Sequence, residues 1–298
     1  MKFLQRLKKD YAGILFVLPV IIGLAMFTFV PMAKSLISSF SPNDLFGETT
    51  EFNWLDNYRK VFDPANQAFK NSLGATLLFT AIDIPLRMAL SFSLALFLFK
   101  ERKGTRFMRV LCYVPVVIPT VVSGLLWGAI TNSETGYINL LLQEIGLKPL
   151  RFFSTHATAL PSFIFVGLFG IGSSMILWIS QLKNIPKSVY EVAEIEGSNK
   201  LHTLFKITVP LCGPTIFYVL ITSIISTLQV FDLAYMFWTT DNKNTLTFLV
   251  VYIYKQAFER LDMGYASALS WVLFTIIAIL SGIVFYCKKW VIYGEDYG

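Results

Sequence analysis

The sequence has little charge for its length, and this shortage is its most informative property. Of its 298 residues, 15% are charged, whereas a soluble domain usually carries about 25%. Hydrophobic residues make up 55% of the chain, and the mean hydropathy is +0.60. This composition argues against an ordinary soluble domain and indicates an integral membrane protein with several transmembrane helices.

The chain is also poor in the residues that carry most catalytic and metal-binding chemistry. It has two histidines and three cysteines, and His156 and His202 lie in different predicted loops. No Ser/His or paired-aspartate arrangement is formed, and the cysteine spacing fits no metal or disulfide pattern. We therefore expect no catalytic residue and no metal site. The G-x-x-x-x-G-K-[ST] phosphate loop is also absent, so this chain is not itself an ATPase.

Six long apolar segments are present, each close to the roughly 20 residues that cross a bilayer. They cover approximately residues 11–33, 73–99, 110–130, 159–182, 211–235 and 266–287. We therefore predict an all-α integral membrane protein with six transmembrane helices in one domain, residues 11–288. The apolar run at 246–258 is too short for a span and predicts an interfacial or re-entrant helix. The sequence PVVIP at 115–119 predicts that the third span is bent or broken.

The distribution of lysine and arginine orients these spans. With the N-terminus inside, residues 1–10, 100–109, 183–210 and 288–298 face the cytoplasm and contain fifteen of these basic residues, whereas the longer outer loops contain nine. We expect a multi-pass protein of the cell membrane, with a cytoplasmic N-terminus at 1–10 and a cytoplasmic tail at 289–298. The net charge of +6 reflects this topology. No basic loop has the interleaved aromatic residues that would indicate nucleic-acid binding.

A polar segment, VYEVAEIEGSNKLHTLFKITVP at 189–210, lies between the fourth and fifth spans. Ser188 and Glu191 have the spacing of a capping box, and Gly197 suits the left-handed turn that ends a helix. The segment therefore predicts a short exposed helix, a tight turn and a second helix that returns to the membrane. On physical grounds it is either a docking element for a soluble partner or an ordinary solvated loop.

This segment resembles the cytoplasmic loop of ABC-importer permeases, whose pattern is E-A-A, three residues, G, nine residues and then I-x-L-P. The matching positions are Glu191, Ala193, Gly197, Ile207 and Pro210. Stretches such as YVPVVIPTVVSGLLW and STLQVFDLAYMFW are similar to the sugar-permease subfamily, which takes up carbohydrates and glycerol phosphates. The turn TTDNKNT at 239–245 departs from the Gly-Gly-Pro turn usual in that subfamily, so its shape is not predicted.

The resemblance implies a type I ABC importer permease fold with a cytoplasmic coupling loop at 184–210. The short helix would dock on a cytoplasmic ATPase, Glu191 would pair with a basic residue of that ATPase, and Gly197 would allow the turn. The implied partners are a second homologous permease, two copies of the ATPase, an extracytoplasmic solute-binding protein, the lipid bilayer and a sugar substrate. This chain would bind no cofactor itself, because the partner ATPase would use ATP and Mg²⁺.

A second set of candidate residues lies in and beside the spans on either side of this loop, where maltose-type relatives contact their sugar. The candidate substrate path consists of Gly170, Ser173, Ser223, Thr227, Gln229 and Asp232. Asp83 and Arg87 are four residues apart in the second span, and we expect a self-neutralising pair that faces the bundle interior.

These observations favour the permease subunit of an ATP-driven, binding-protein-dependent importer of a sugar or oligosaccharide. One alternative is the same machinery importing a glycerol phosphate or another polyol derivative. Another is an ion-coupled secondary transporter, which would need inverted repeats and an acidic relay. The sequence shows no such repeat, and Asp83 and Asp232 are the acidic residues of the spans that would serve in a relay.

The predicted topology can be tested by cysteine labelling in intact cells. Cysteines introduced at Thr49 and Asn242 should react with a membrane-impermeant thiol reagent, whereas a cysteine at Lys103 should react only after the cells are opened. Labelling of the Lys103 site in intact cells would contradict the predicted orientation.

Overall fold

The computed structural model describes residues 11–42, 52 and 54–287, and every regular element in that part of the chain is helical. Its candidate membrane spans are Leu15–Ser39, Gln67–Leu98, His156–Asn184, Gly213–Phe237 and Met263–Tyr286. The bent pair Thr105–Val117 and Thr120–Ile130 meets the same length and hydropathy criteria when taken together. The all-α prediction is therefore confirmed. The predicted N-terminal segment at 1–10 and tail at 289–298 lie outside the described residues.

The helices follow one another along the chain with short connections. They are α1 (Tyr11–Leu24), α2 (Val30–Ser39), α3 (Asp56–Phe62), α4 (Gln67–Leu98), α5 (Thr105–Val117), α6 (Thr120–Ile130), α7 (Tyr137–Glu144), α8 (His156–Leu168), α9 (Gly172–Asn184), α10 (Lys187–Ile195), α11 (Lys200–Thr203), α12 (Val209–Leu211), α13 (Gly213–Leu228), α14 (Asp232–Phe237), α15 (Lys243–Leu246), α16 (Leu249–Tyr254) and α17 (Met263–Tyr286). Short π-helical or 3₁₀ turns join several of them, at Ala25–Phe29, Phe169–Ile171, Leu204–Thr208 and Lys255–Glu259.

The third span is broken where the sequence predicts it. Helices α5 and α6 meet at an angle of 99° across Ile118 and Pro119. Both residues have extended backbone, with ψ values of 127° and 139°. Proline disfavours helical backbone at the residue before it and has no N–H to continue the ladder. The local sequence is therefore sufficient to explain the break, whereas Pro115 is accommodated inside α5.

The fifth span, Gly213–Phe237, agrees with the predicted segment at 211–235, but its helix is interrupted. Helix α13 ends at Leu228, Phe231 has φ −135° and ψ −65°, and α14 begins at Asp232. No proline or glycine lies at this break, so the sequence carried no local signal for it. Leu228 and Ala234, which flank the break, are almost completely buried. We attribute the break to tertiary packing on both sides of it.

Two compact units can be distinguished, and the larger contains residues 67–252 and 273–298. In this unit α4 packs along both α9 and α13. One core cluster contains Phe79, Phe163 and Phe248, whose ring centroids lie 5.0–5.3 Å apart. In a second cluster the buried Trp178 indole N–H donates to the Ser91 hydroxyl at 3.0 Å. Aromatic packing and this hydrogen bond therefore fix the long helices against each other.

The apolar run at 246–258 forms the end of α15, helix α16 and the π-helical turn after it. Leu249 and Val251 are completely buried, and the Leu249 N–H donates to the Thr76 hydroxyl at 2.8 Å. These residues therefore pack into the core of the chain. The interfacial or re-entrant placement of this run stays a prediction, because a re-entrant helix is also buried in protein.

The smaller unit contains residues 1–66 and 253–272. Within it, the segment DNYRKVF forms α3. The buried Asn57 amide donates to the carbonyls of Ser39, at 3.1 Å, and Ser41, at 2.8 Å. Gly264 is necessary beside them, because a methyl group there would lie 2.6 Å from the Ser41 carbonyl oxygen. These contacts attach α3 to the end of α2.

The turn at 239–245 is organised by Asn242. Its side chain is buried, donates to the Phe153 and Phe237 carbonyls and accepts from the Thr239 N–H. Asn242 is therefore a poor labelling position, and the exposed Asp241 beside it replaces it in the topology experiment. Thr49 lies outside the described residues.

The Trp178–Ser91 hydrogen bond gives a stability prediction. Ser91→Ala should lower the free energy of unfolding by about 1–3 kcal/mol, because the buried indole N–H would lose its acceptor. Ser93→Ala, at an exposed position of the same helix, is the matched control. Thermal unfolding of both variants in the same detergent is the measurement, and equal midpoints for the two would contradict this role for Ser91.

Candidate functional site

The first candidate site is the loop at 184–210, which begins with a proline-initiated helix. Pro186 has φ −59° and ψ 138° and stands at the N-cap of α10. No side chain caps this helix, and Ser188 lies inside its first turn. The predicted capping box of Ser188 and Glu191 is therefore wrong. Proline in extended backbone starts the helix instead, and the Glu191 side chain remains exposed.

The end of α10 is a Schellman turn centred on Gly197. Gly197 has φ +73°, its N–H donates to the Glu194 carbonyl at 3.0 Å, and the Ser198 N–H donates to the Ala193 carbonyl at 2.9 Å. This pair of hydrogen bonds needs a residue that accepts the left-handed conformation, which glycine does without strain. The predicted turn at Gly197 is therefore confirmed in its backbone geometry.

The chain then returns towards α13 through two short helices. The Asn199 side chain caps α11 by accepting from the His202 N–H at 2.7 Å. The Tyr190 and Thr208 hydroxyls lie 3.3 Å apart and connect α10 to the returning segment. The Gln181 amide donates to the Leu211 carbonyl at 2.9 Å. The Tyr190–Thr208 contact thus attaches α10 to the returning segment, and the Gln181–Leu211 hydrogen bond attaches α9 to the segment that leads into α13.

The five motif residues occupy different positions around this loop. Ala193 is buried within α10, and it lines a small cavity of about 390 Å³ together with the half-buried Ile207. Glu191 and Gly197 are exposed, and Pro210 is exposed within α12. The small and apolar motif residues therefore support the loop from within, whereas the carboxylate points outward.

The outward face of the loop is apolar as well as acidic. Val192 is 53% exposed and Ile195 is 86% exposed on α10, and Leu201 and Phe205 are 68% and 64% exposed on the returning segment. Together with Glu191 they form an exposed surface, named here the loop face. A loop without a partner usually shows few large apolar side chains so fully to water. The geometry therefore supports a docking element.

A salt bridge links the last turn of α9, just before this loop, to the connection between α4 and α5. Lys183 lies 2.9 Å from Glu101, and the hydrogen bond from Lys183 lowers the pKa of the Glu101 carboxyl below its usual value. A cavity of about 1370 Å³ lies between the two segments. The basic residues that line it are Lys100, Arg102, Lys183, Lys187 and Lys200.

The second candidate site is the predicted substrate path, and the structure divides its residues into two groups. Ser223 and Thr227 are buried in α13, and the Thr227 hydroxyl donates to the Ser223 carbonyl at 2.8 Å. Gln229 and Asp232 are exposed at the break between α13 and α14. The hydroxyl of Thr227 is thus satisfied by its own helix, whereas the two residues beyond Leu228 have exposed polar side chains.

Gly170 and Ser173 lie at another break, the 3₁₀ turn at Phe169–Ile171 and the beginning of α9, and both are exposed. Gly170 faces Arg87, whose guanidinium forms a two-point ion pair with the buried Asp83. The predicted pairing of Asp83 with Arg87 is therefore confirmed. The nearness of Arg87 to Gly170 was not predicted, because spacing along α4 shows nothing about its contacts with α8.

Comparison with known proteins places the chain in a defined group. The family described as "Binding-protein-dependent transport system inner membrane component" matches residues 87–292. The probable ABC transporter permease protein YesP of Bacillus subtilis is 34% identical over 304 residues, covering 99% of this chain and 96% of the relative. The sulfoquinovosyl glycerol transport system permease protein SmoG of Agrobacterium fabrum is 30% identical, covering 89% and 86%.

Two further comparisons extend this result. The arabinooligosaccharides transport system permease protein AraP of Bacillus subtilis is 28% identical, covering 92% of this chain and 87% of the relative. A chain from the crystal structure of a bacterial alginate ABC transporter, in complex with an alginate pentasaccharide-bound periplasmic protein, superposes with a TM-score of 0.86. That chain is 20% identical, and the match covers 97% of this chain and 98% of that one. The fold is therefore that of an ABC importer permease.

The division of the substrate-path residues can be tested by chemical accessibility. In a background in which Cys112, Cys212 and Cys287 are replaced by serine, Ser173→Cys and Gln229→Cys should react with a small water-soluble thiol reagent. Thr227→Cys should react at least about tenfold more slowly, because its side chain is buried in α13. Mass spectrometry of the labelled protein gives the rates. Fast modification at residue 227 in the folded protein would show that α13 presents this face to water.

Proposed function

The chain belongs to the family of inner-membrane components of binding-protein-dependent transport systems, and from this premise we propose that it is the permease subunit of an ATP-driven importer of a sugar or oligosaccharide. The family match over residues 87–292 is the observation that carries the proposal. As a permease this chain is a transport component of the inner membrane, and it has no catalytic activity of its own.

The sugar class rests on what the relatives are named for. One is a permease for arabinooligosaccharides and another for sulfoquinovosyl glycerol, and both of these solutes contain a sugar ring. Exposed polar side chains near helix breaks, such as Gln229 and Ser173, suit a solute that carries many hydroxyl groups. A sugar or oligosaccharide is therefore the substrate that we propose for this chain.

The loop face supplies the proposed mechanism of coupling. Val192 and Ile195 would enter an apolar groove of the ATPase, and Glu191 would pair with a basic residue at its edge. Tyr190 attaches α10 to the returning segment, and Gln181 attaches α9 to Leu211, just before α13. Nucleotide-driven movement of the ATPase would therefore be transmitted to α9 and α13 with little loss in the loop itself.

The working assembly in this proposal has five further components. They are a second homologous permease, two copies of the ATPase, an extracytoplasmic solute-binding protein and the sugar itself. ATP and Mg²⁺ would bind to the ATPase subunits. Both termini and the loop at 184–210 would face the cytoplasm, as the distribution of lysine and arginine indicates. The substrate path would lie between the two permeases, with the exposed Gly170, Ser173, Gln229 and Asp232 on this chain's side.

The coupling role gives a prediction for Gly197. Gly197→Val should abolish ATPase co-purification and uptake, because a β-branched residue is strongly disfavoured at φ +73°. Gly197→Asn should retain most of both activities, because asparagine tolerates the left-handed conformation. Membrane insertion should be normal in both variants. Equal ATPase binding by the two would show that the backbone of this turn is not needed for docking.

The charge on the loop face can be tested separately. Glu191→Lys should weaken the association with the ATPase by about tenfold or more, because it would place two basic side chains opposite each other. Glu144→Lys makes the same charge change at an exposed position of α7 and should have no effect. Pull-down of the ATPase and substrate-stimulated ATP hydrolysis in vesicles are the measurements. If both survive Glu191→Lys, α10 is not the coupling helix.

A further inference from the structure

The guanidinium of Arg87 has one edge occupied and one edge free. Its Nε donates to Asp83 Oδ2 at 2.9 Å, and its Nη2 donates to Asp83 Oδ1 at 3.1 Å. A guanidinium has five N–H groups, so this pair uses two of them and leaves three. Among the residues that the structure describes, no acceptor is recorded for Nη1. The Arg87 side chain is 23% exposed, whereas Asp83 is completely buried.

Two glycines lie beside the free edge. A methyl group at Gly167 would lie 3.1 Å from Arg87 Nη2, and one at Gly170 would lie 3.7 Å from Nη1. Gly167 lies in α8 and Gly170 in the 3₁₀ turn that follows it. The absence of side chains at these two positions leaves the Nη1 and Nη2 edge open beside an exposed residue of the candidate substrate path.

We infer that Arg87 is a specificity-determining residue that binds the carboxylate or sulfonate group of an acidic sugar in the translocation path. This inference rests on the proposed sugar-import function. Two parallel N–H groups match the two coplanar oxygens of such an anion, and charge-assisted pairs of this kind are stronger than hydrogen bonds between neutral groups. A neutral sugar hydroxyl offers a single acceptor oxygen and gains less from the same edge.

Asp83 has two effects in this arrangement. It fixes the plane of the guanidinium, so that the free edge points towards Gly170 rather than folding onto its own helix. It also neutralises most of the charge on Arg87 and so weakens the attraction for an anion. A transport path needs binding that is weak enough for release. A paired arginine therefore suits transport better than an unpaired one, which would bind the anion too tightly.

The test uses the purified transporter complex in nanodiscs, without the solute-binding protein. The probes are a galacturonic acid disaccharide and the corresponding neutral galactose disaccharide at equal ionic strength, and the readout is the apparent Kd from thermal-shift titrations. The wild-type complex should bind the acidic disaccharide about tenfold more tightly than the neutral one. Arg87→Gln should remove this preference, whereas Lys148→Gln, the same charge change in an exposed loop, should keep it.

Asp83→Asn should change the preference for the acidic disaccharide in the opposite direction. Removing the competing carboxylate should tighten binding of the acidic disaccharide several-fold and leave the neutral one unchanged, which a purely structural ion pair would not do. The double variant Asp83→Asn with Arg87→Gln keeps the span neutral, so it should fold and show no preference even if Arg87→Gln alone misfolds.

Equal binding of the two disaccharides by the wild-type complex, or a preference that survives in the double variant, would overturn the assignment of Arg87. Uptake in vesicles that contain the solute-binding protein separates this failure from failure of the proposed function. If sugars are taken up but the preference for the acidic sugar is absent, the proposed import function is supported and the role assigned to Arg87 is wrong. If no sugar drives uptake or ATP hydrolysis, the proposed function itself is wrong.

Discussion

A polar group inside a membrane span is costly unless it finds a partner within the protein, and this cost shapes the arrangement of the long helices. Water is absent from the hydrocarbon region, so an unsatisfied donor or charge there is costly. The structure meets the requirement in several ways. Thr227 donates to its own helix, Trp178 donates to Ser91 on a neighbouring helix, and Asp83 accepts two hydrogen bonds from Arg87. The Trp178–Ser91 hydrogen bond also fixes two helices against each other.

The same constraint limits where the helices of the spans can be interrupted. Backbone outside a regular helix is tolerated at membrane depth where it is buried in protein or lines a cavity. The interruptions at 169–171 and 229–231 bring Gly170 and Gln229 into exposed positions. The interruption at 118–119 has a local cause in Pro119, and the one at 169–171 contains Gly170, whereas no proline or glycine lies at 229–231. Four residues of the proposed substrate path lie at or beside the last two interruptions.

The loop at 184–210 meets the opposite requirement, since it has to present a surface rather than hide one. Hydrogen bonds at Gly197 and Asn199 determine its backbone without using the outward side chains. Val192 and Ile195 therefore remain exposed on a helix that is itself held at both ends. A rigid loop with an exposed apolar face can pass a movement from a soluble partner to α9 and α13. The transport proposal depends on this combination of rigidity and exposure.

The sequence by itself determined the features that follow from composition and local backbone chemistry. These are the membrane class, the bend at Pro119, the left-handed turn at Gly197 and the ion pair of Asp83 and Arg87. Each depends on a residue property or on a spacing within one helix, and each was predictable for that reason. The resemblance of the segment around Glu191 and Gly197 to the loop of ABC-importer permeases also indicated the family.

Only the tertiary structure decided the features that depend on contacts between distant segments. Leu249 and Val251 in the run at 246–258 are buried, and the Leu249 N–H donates to a hydroxyl of α4. The burial of Thr227 and the approach of Arg87 to Gly170 are likewise contacts between separate helices. Periodicity reports which face of a helix is apolar, but an apolar face meets lipid and protein equally well. The partner of each face is therefore decided by packing.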